Sequence, residues 1–195
     1  EILYNGCFSH VFSRSIGKRE VFCDPADFNF FKKSLLDMKR KHGFYVHHYC
    51  LMHTHFHLVL SLPRLDRFSQ GLQQLKWRYT KWFKKKYGYK GPLWEERFKS
   101  LLIEDERYLH ACGLYVERNP VKAGLVVRSE DWPYSSASHY QGKGADPLID
   151  PYEGSEIPKG IDLDDDPTFT KGRVIGSELF RMQLRAGFAR ELHVP

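Results

Sequence analysis

The sequence predicts an α+β fold: a ferredoxin-like split βαβ antiparallel sheet with helices on one face, followed by a C-terminal extension. Short segments of alternating apolar and polar residues are interleaved with longer segments of helical period. The 195 residues are 42% hydrophobic and 15% aromatic, which is enough for one sizeable core. The predicted elements follow in the order β-α-β-β-α-β-α, which is the order of a split βαβ sheet with one added helix.

The first half of the chain supplies three strands and one helix. Residues 7–14 alternate apolar and polar side chains, which predicts a strand. An Asp-Pro start and apolar residues at helical spacing predict an amphipathic helix over 25–42. Residues 44–52 and 55–62 have the composition of strands, and a tight turn at 53–54 joins them.

The second half supplies two helices and a strand before the composition changes. A single apolar face predicts a long helix over 67–87, and a strand follows over 97–104. A helix over 105–119 is expected to stop at Pro120, because the residue before a proline is pushed out of the helical region. We therefore assign residues 1–141 to one domain. Residues 142–195 are predicted to form an acidic irregular linker and a short helix over 177–192 with Ser177 as its cap.

Charge is distributed unevenly along the chain. Residues 1–141 carry 23 Lys and Arg against 14 Asp and Glu, whereas residues 142–195 carry 7 against 10. The basic part indicates a polyanionic partner, of which nucleic acid is the commonest. No apolar run is long enough to span a bilayer, so we expect no membrane partner, and the four cysteines fit no zinc-ligand spacing. Reduced thiols in a cytoplasmic protein are expected.

The stretch YCLMHTHFHLVLSLP carries His53, His55 and His57 at alternate positions. Because side chains alternate along a strand, His55 and His57 share one face and lie about 7 Å apart. Two such imidazoles can converge on a divalent ion, although surface or hydrogen-bonded histidines explain the same pattern. A third ligand is needed to hold a metal firmly.

Tyr115 and Asn119 are candidates for the remainder of such a site. They are four residues apart on a predicted helix, so they lie on the same side of it. The Asn119 carbonyl oxygen can complete a hard-metal site, and a tyrosine beside an ion and a phosphodiester can act as a nucleophile. Equally, Tyr115 can be an ordinary helix aromatic and Asn119 an ordinary C-cap before Pro120.

Residues 75–90, LKWRYTKWFKKKYGYK, contain seven Lys and Arg, six aromatic residues and no acid. Cations for phosphates and aromatic rings for unpaired bases are what single-stranded nucleic acid requires. The alternative is an amphipathic helix whose aromatic residues are core and whose lysines are a solvated face. Our candidates for contact with nucleic acid are Lys81, Lys84, Lys85 and Lys86 here, Arg14, Lys18 and Arg19 in the first loop, Arg97 and Lys99 beside the histidine strand, and Arg118 and Lys122 at the end of the tyrosine helix.

Four motifs occur in the order MHTHFHL, GPLWEERFKS, YVERNPVKAGLV and EDWPYSS. In order and spacing they resemble the REP-associated tyrosine transposases, which belong to the single-tyrosine HUH transposase superfamily. The resemblance covers about residues 8–140, and SRSIGKREVF resembles the first strand and basic loop of that family. The turn before the histidines is His53-Thr54 rather than the usual Pro-Asn, so His55 and His57 stay in register while the role of His53 is open.

The resemblance implies that Tyr115 is the nucleophile and that His55, His57 and Asn119 hold Mg²⁺ or Mn²⁺. It implies metal-dependent cleavage and rejoining of single-stranded DNA at palindromic, hairpin-forming repeats, through a 5′-phosphotyrosine link and a free 3′-hydroxyl. Arg14, Lys18 and Arg19 would help to hold the hairpin. A bacterial, nucleoid-associated protein is the corresponding expectation.

Two other function classes remain open from the sequence. One is a non-catalytic binder of hairpin DNA or RNA that uses the same fold. The other is a metal-dependent hydrolase that uses activated water. The choice between a monomer and a homodimer is also open, and so is the use of Tyr115 in cis or in trans. The acidic extension is either a solvated linker or a cover for the basic groove.

Overall fold

A computed structural model describes residues 7–62, 65–152, 156, 159, 161, 163, 169–170, 174–182 and 184; of residues 7, 62 and 65–68 it describes only the backbone. Ten strands and helices are labelled here in chain order. They are β1 (Cys7–Arg14), α1 (Pro25–His42), β2 (Tyr45–Met52), β3 (His55–Leu62), α2 (Leu65–Tyr87), β4 (Lys99–Ile103), α3 (Glu106–Glu117), α4 (Asn119–Lys122), α5 (Ala137–Tyr140) and β5 (Val174–Ile175).

The strands form one five-stranded sheet in the order β2-β3-β1-β4-β5. β1 lies at its centre and pairs antiparallel with both β3 and β4, while β2 and β3 form a hairpin. This arrangement confirms the predicted α+β class with a ferredoxin-like strand order. β5 pairs parallel with β4, so the sheet is mixed rather than antiparallel throughout as predicted. A strand of two residues has no periodic sequence signal, which is why β5 was not predicted.

α1 and α2 cover one face of the sheet, and that face holds most of the core. The Asp24 side chain caps α1 by accepting hydrogen bonds from the Ala26 and Asp27 backbone amides, with Pro25 at the first helical position. Phe31 of α1 packs on Phe56 of β3 with ring centroids 5.0 Å apart. Tyr79 of α2 is fully buried. This agrees with the alternative in which the aromatic residues of this helix belong to the core.

The opposite face of the sheet carries the histidines, and α3 covers it. We call this the histidine face; it includes His10, His48, His55 and His57. The prediction that the helices lie on one face is correct for α1 and α2 and wrong for α3. Val59, Leu101 and Ile103 on the histidine face are almost fully buried, and an apolar surface of that size requires a cover.

A glycine allows α3 to approach the histidine face closely. A Cβ built on Gly113 would overlap the His48 imidazole. That ring is held in place, because its Nδ1 lies 2.8 Å from Glu117 Oε1 and its Nε2 lies 2.7 Å from the Tyr152 hydroxyl. Ser136 also donates to Glu117 Oε1 at 2.6 Å. Gly113 therefore serves close packing between α3 and β2.

α3 ends earlier than the predicted helix, at Glu117, and the chain continues into α4 rather than stopping at Pro120. Pro120 lies in the first turn of α4, where its fixed φ is favourable and its missing N–H is not needed. The proline thus begins a new helical turn. As a result Tyr115, Asn119 and Lys122 are distributed over two short helices.

Residues after the predicted boundary at 141 pack against the domain, although the boundary itself stays a prediction. Asp146 accepts a hydrogen bond from the Tyr49 hydroxyl at 2.5 Å and one from Lys32 at 3.0 Å. Asp150 accepts from the Val46 amide at 2.8 Å, which covers the outer edge of β2. Leu148 is buried between these anchors.

The C-terminal helix is present in the described residues. Residues 178–182 and 184 are helical, and the Ser177 hydroxyl accepts a hydrogen bond from the Phe180 amide, as predicted for a cap. The remaining predicted helical positions and the aspartates at 162 and 164–166 lie outside the described residues. Among the helices that the structure describes, none is long and apolar enough to cross a membrane.

Replacing Gly113 with alanine is expected to destabilise the fold by about 1–3 kcal/mol, because the added methyl group collides with the clamped His48 ring. The gain in helix propensity, about 1 kcal/mol, is too small to reverse the sign. Chemical unfolding gives the measurement. Gly71→Ala in α2 is the matched control, since a Cβ there meets the His42 ring at 3.2 Å and needs only a small shift. An equal effect of the two substitutions would contradict the packing role.

Candidate active site

His55 and His57 lie at the start of β3 on the histidine face, as their spacing predicts. Their ring centroids are 5.1 Å apart and the ring planes are nearly perpendicular, at 84°. His57 is 1% exposed, whereas His55 is half-buried at the end of the strand beside Arg14, its partner on β1. Two imidazole nitrogens are thus presented at one end of the sheet, and the more exposed one faces the basic first loop.

A third histidine, His10, completes a buried hydrogen-bonded chain with His57. Its Nδ1 lies 2.8 Å from the Phe169 carbonyl oxygen, and its Nε2 lies 2.9 Å from His57 Nδ1. A carbonyl only accepts, so Nδ1 of His10 carries the proton. In the neutral ring Nε2 must then accept from the Nδ1–H of His57. This tautomer of His57 leaves its Nε2 with a free lone pair, as a metal ligand requires.

Burial keeps these three imidazoles neutral. It lowers the pKa of His10 to about 4 and outweighs the hydrogen bond to the Phe169 carbonyl. It also lowers the pKa of His55 to about 4, with a smaller contribution from the Arg14 charge. The pKa of His57 falls well below its usual value, first through burial and then through electrostatic repulsion of a second proton by the neighbouring His10 and His55, with Arg14 and Lys122 contributing less. All three rings are therefore unprotonated near neutral pH.

Tyr115 points from α3 towards the same histidines. Its ring centroid lies 6.4 Å from that of His57 and 6.3 Å from that of His10. The predicted proximity of the tyrosine and the histidines is therefore present in the fold. Phe169 of the extension stacks on the Tyr115 ring at 4.7 Å, and Tyr115 is only 9% exposed.

Lys122 lies against Tyr115. Its ammonium nitrogen is 4.1 Å from the centroid of the tyrosine ring and also donates to the Leu163 carbonyl at 2.8 Å. One turn of α4 thus brings a positive charge to the tyrosine. Arg118, the neighbouring candidate, is half-buried at the junction of α3 and α4.

Asn119 has a structural role that the sequence left open. Its Nδ2 donates to the Tyr115 carbonyl at 3.0 Å and to the Val116 carbonyl at 3.1 Å, which caps the last turn of α3. With Nδ2 directed at the helix, Oδ1 remains as the atom that can bind a metal. The C-cap residue of α3 is Arg118 and Asn119 begins α4, so the C-cap alternative is wrong in position, although the Asn119 side chain does satisfy carbonyls of the last turn. This contact is compatible with the predicted ligand role, which stays a prediction.

His53 does not join the other two histidines of its motif. Its Nδ1 lies 2.9 Å from the Phe22 carbonyl, and its own carbonyl accepts from the Val21 and Phe22 amides. The ring packs edge-on against Trp132 at 5.6 Å. His53 therefore ties the first loop to the β2–β3 turn.

Several of the predicted nucleic-acid contacts lie together at the end of the sheet beside His55. Arg14 and Lys99 line one pocket, and the Arg19 guanidinium lies 4.6 Å from the centroid of the Tyr89 ring. A backbone hydrogen bond of 3.1 Å from Ile16 to Leu93 joins the first loop to the segment before β4. Lys18 is exposed in the same loop, and the exposed Arg97 lies over the Phe98 ring.

The lysines of α2 form a separate exposed surface. Lys81 lies 5.2 Å from the centroid of the Trp77 ring, and Trp77 is 65% exposed. Lys85 is exposed and Lys84 half-buried on the same helix. Lys86 instead binds the Asp24 and Asp27 carboxylates at the start of α1, so it serves the fold. Contact between α2 and nucleic acid stays a prediction.

A buried lysine that the sequence gave no reason to select supports the segment before β4. The Lys76 ammonium donates to the Ser13 hydroxyl at 2.7 Å and to the backbone carbonyls of Glu96 and Arg97. Burial lowers the pKa of Lys76 to about 8. Three acceptors on one buried ammonium fix the path of residues 95–98 beside the histidine end of the sheet.

The fold thus combines a ferredoxin-like sheet with a helix tyrosine that packs over a pair of strand histidines. The family model described as transposase, IS200-like, matches residues 4–119. The chain belongs to this family, and the resemblance drawn from the four sequence motifs is confirmed.

Individual relatives agree with this assignment. The chain is 35% identical over 98 residues to a protein of Haemophilus influenzae that is named as a REP-associated tyrosine transposase; the match covers 45% of this chain and 55% of that protein. It is 28% identical over 119 residues to the REP-associated tyrosine transposase of Escherichia coli K12, covering 60% and 68%. A solved REP-associated tyrosine transposase bound to a REP hairpin has the same fold, with a TM-score of 0.60, 20% identity and coverage of 82% and 94%.

Replacing Phe169 with alanine is expected to make Tyr115 more reactive towards nitration by several-fold, because the stacked ring shields it from solvent. Peptide mass spectrometry after brief treatment with tetranitromethane gives the rate. Tyr45, which is 50% exposed, is the internal standard, and Leu179→Ala is the matched control in the extension. If Tyr115 reacts equally fast in both variants, Phe169 is not its cover.

The free energy of unfolding is expected to fall as the pH drops from about 6.5 to about 4. The unfolded histidines have a pKa of 6.5 and bind protons in this window, whereas the folded His10 and His55 have a pKa of about 4. His10 alone corresponds to about 3 kcal/mol. Chemical unfolding across the window and NMR titration of the imidazoles provide the test. An imidazole of His10 that titrates near pH 6.5 in the folded protein would refute the assignment.

Proposed function

We propose that this protein cleaves and rejoins single-stranded DNA beside a hairpin, with Tyr115 as the nucleophile and a divalent metal ion, Mg²⁺ or Mn²⁺, as cofactor. The observation that carries the proposal is the approach of the Tyr115 ring to within 6.4 Å of His57, whose outer nitrogen is available to a metal. Membership of the IS200-like transposase family supports the same reaction class. A REP-type hairpin is the proposed partner, by analogy with the solved relative of the same fold.

The donor set fits a divalent ion. His55 and His57 present neutral imidazoles in nearly perpendicular planes, and the hydrogen bond from Nδ1 of His57 to His10 directs the lone pair of Nε2 outward. Asn119 would add an amide oxygen. Among the described residues no group of three His, Cys, Asp or Glu side chains could hold a metal, so an amide or water oxygen is needed. When bound, the ion would polarise the scissile phosphate and offset its developing charge.

The residues of the chain account for the other requirements of the reaction. The Tyr115 oxygen would form a bond to phosphorus while the bond from phosphorus to the 3′-oxygen breaks, giving a 5′-phosphotyrosine and a free 3′-hydroxyl. Lys122, in contact with the tyrosine ring, would stabilise negative charge during this exchange. Attack by a 3′-hydroxyl on the same phosphorus reverses the step, so the strands can be rejoined without ATP. Phe169 must leave Tyr115 before DNA reaches it.

Basic residues at the end of the sheet would bring the DNA to this site. Arg14 lies beside His55, and Lys99 pairs with Phe12 across β1 and β4. Lys18 and Arg19 continue the charge along the first loop, where they would contact the hairpin. Lys81, Lys84 and Lys85 of α2 and Arg118 of the tyrosine helix extend the proposed contact surface.

Incubation with a labelled single-stranded hairpin and Mn²⁺ is expected to give a covalent adduct on a denaturing gel. The probes should come from palindromic repeats with unpaired flanks. Tyr115→Phe is expected to abolish the adduct, since phenylalanine has no nucleophilic oxygen, while binding in a native gel persists. Tyr108→Phe, on the same helix, is the matched control and should retain the adduct.

The same gel distinguishes the alternative functions. Binding without an adduct in the wild-type protein would indicate a non-catalytic hairpin binder. DNA that is still cut by Tyr115→Phe, with no protein on its end, would indicate a hydrolase that uses water. If the wild-type protein neither binds nor cleaves any of the hairpins, the proposed function is wrong.

Mn²⁺ binding to the DNA-free protein is expected to weaken about 10- to 100-fold in His10→Phe, although His10 itself does not bind the ion. The substitution removes the acceptor that fixes the tautomer of His57. Calorimetric titration measures the affinity, with His139→Gln as the control outside the site and circular dichroism as the check on folding. His57→Ala should weaken binding further. Unchanged Mn²⁺ affinity in a folded His10→Phe protein would show that the hydrogen bond from His57 to His10 does not support metal binding.

A further inference from the structure

A pocket of about 230 Å³ lies beside the candidate active site, at the end of the sheet where β1 meets the start of β4. Its lining includes Phe12, Arg14, Glu95, Phe98 and Lys99. Phe12 joins the pocket to the site, because its ring also stacks on His57 at 5.6 Å. The volume is below the range of about 300–1,000 Å³ that is typical for drug-sized ligands, so a single flat ring system is a suitable occupant.

Glu95 is one of two acids in the lining of this pocket, which also holds Glu96 and the basic residues Arg14 and Lys99. The neighbouring Glu96 is paired with Lys99 at 3.2 Å. Within the part of the chain that the structure describes, the Glu95 carboxylate has neither a hydrogen-bond donor nor an ion-pair partner. The backbone of Glu95 is nevertheless fixed, since its amide donates to the Arg14 carbonyl at 3.0 Å.

The lining residues suggest separate positions for the phosphate backbone of a DNA strand and for one of its bases. A carboxylate repels phosphate, so the backbone of a DNA strand is expected to follow Arg14 and Lys99 at the rim rather than to enter the pocket. Phe12 and Phe98 supply the apolar part of the lining, which suits the flat face of a base. A carboxylate only accepts hydrogen bonds, so it favours a base with an exocyclic amino group, such as cytosine. An unpaired thymine offers a single N3–H between two carbonyl oxygens, and those oxygens repel the carboxylate.

We propose that this pocket binds one unpaired base flanking the scissile phosphate and that Glu95 selects a base with an exocyclic amino group over thymine. Glu95 is thus a specificity-determining residue, and Phe98 contributes apolar surface to the same subsite. Lys76 fixes the backbone between Glu95 and Phe98 by donating hydrogen bonds to the carbonyls of Glu96 and Arg97. The inference rests on the proposed DNA-processing function and adds a sequence preference to it.

The test uses a hairpin pool in which the unpaired flanks are randomised. Full-length protein is mixed with the pool and Mn²⁺, bound molecules are recovered from a native gel, and both pools are sequenced. At one flank position the wild-type protein should deplete thymine about tenfold relative to cytosine. Glu95→Gln should remove this discrimination, because an amide both accepts and donates hydrogen bonds. Glu178→Gln makes the same charge change on an exposed residue outside the pocket and should keep the preference.

The outcomes separate the inference from the function on which it rests. A wild-type profile without base preference, or the same preference in Glu95→Gln, would overturn the base subsite while hairpin binding stands. Failure of the wild-type protein to bind any member of the pool would overturn the proposed function and the subsite together. A preference that persists in Glu178→Gln and disappears in Glu95→Gln supports the subsite.

Discussion

The close approach of α3 to the histidine face is the constraint on which the candidate site depends. Gly113 lets the helix backbone lie against the His48 ring, and Glu117 on the next turn binds the same ring at 2.8 Å. Tyr115 lies between these two contacts in sequence. Its position over His10 and His57 is therefore determined by packing that involves no catalytic atom.

Much of the architecture could be predicted from local sequence pattern. The period-two segments gave β1 and β3, and the capped amphipathic segment gave α1, because burial on one face imposes a periodicity. The face covered by α3 could not be obtained in this way. His48 and Glu117 are 69 positions apart in the sequence, and periodicity carries no information on which distant element packs on which face.

The candidate site shows the same division. His55, His57 and Tyr115 have motif signals, whereas His10, Phe169 and Lys76 do not. His10 lies on a strand whose alternation explains it without a function, and its partner Phe169 is 159 positions away. Lys76 looks like one more cation of a basic helix until its three acceptors are seen. Residues that act through a hydrogen bond formed by folding are invisible to composition and spacing.

One residue of the extension contacts both halves of the site. The Phe169 carbonyl accepts from His10 and so fixes the tautomer of His57, while the Phe169 ring stacks on Tyr115. Any movement that uncovers the tyrosine by shifting the backbone at Phe169 would also remove the acceptor for His10. Rotation of the side chain alone would uncover Tyr115 and leave the histidine chain intact. Because only side-chain rotation preserves the His57 tautomer with an outward lone pair on Nε2, it is the movement most compatible with metal-assisted attack by Tyr115.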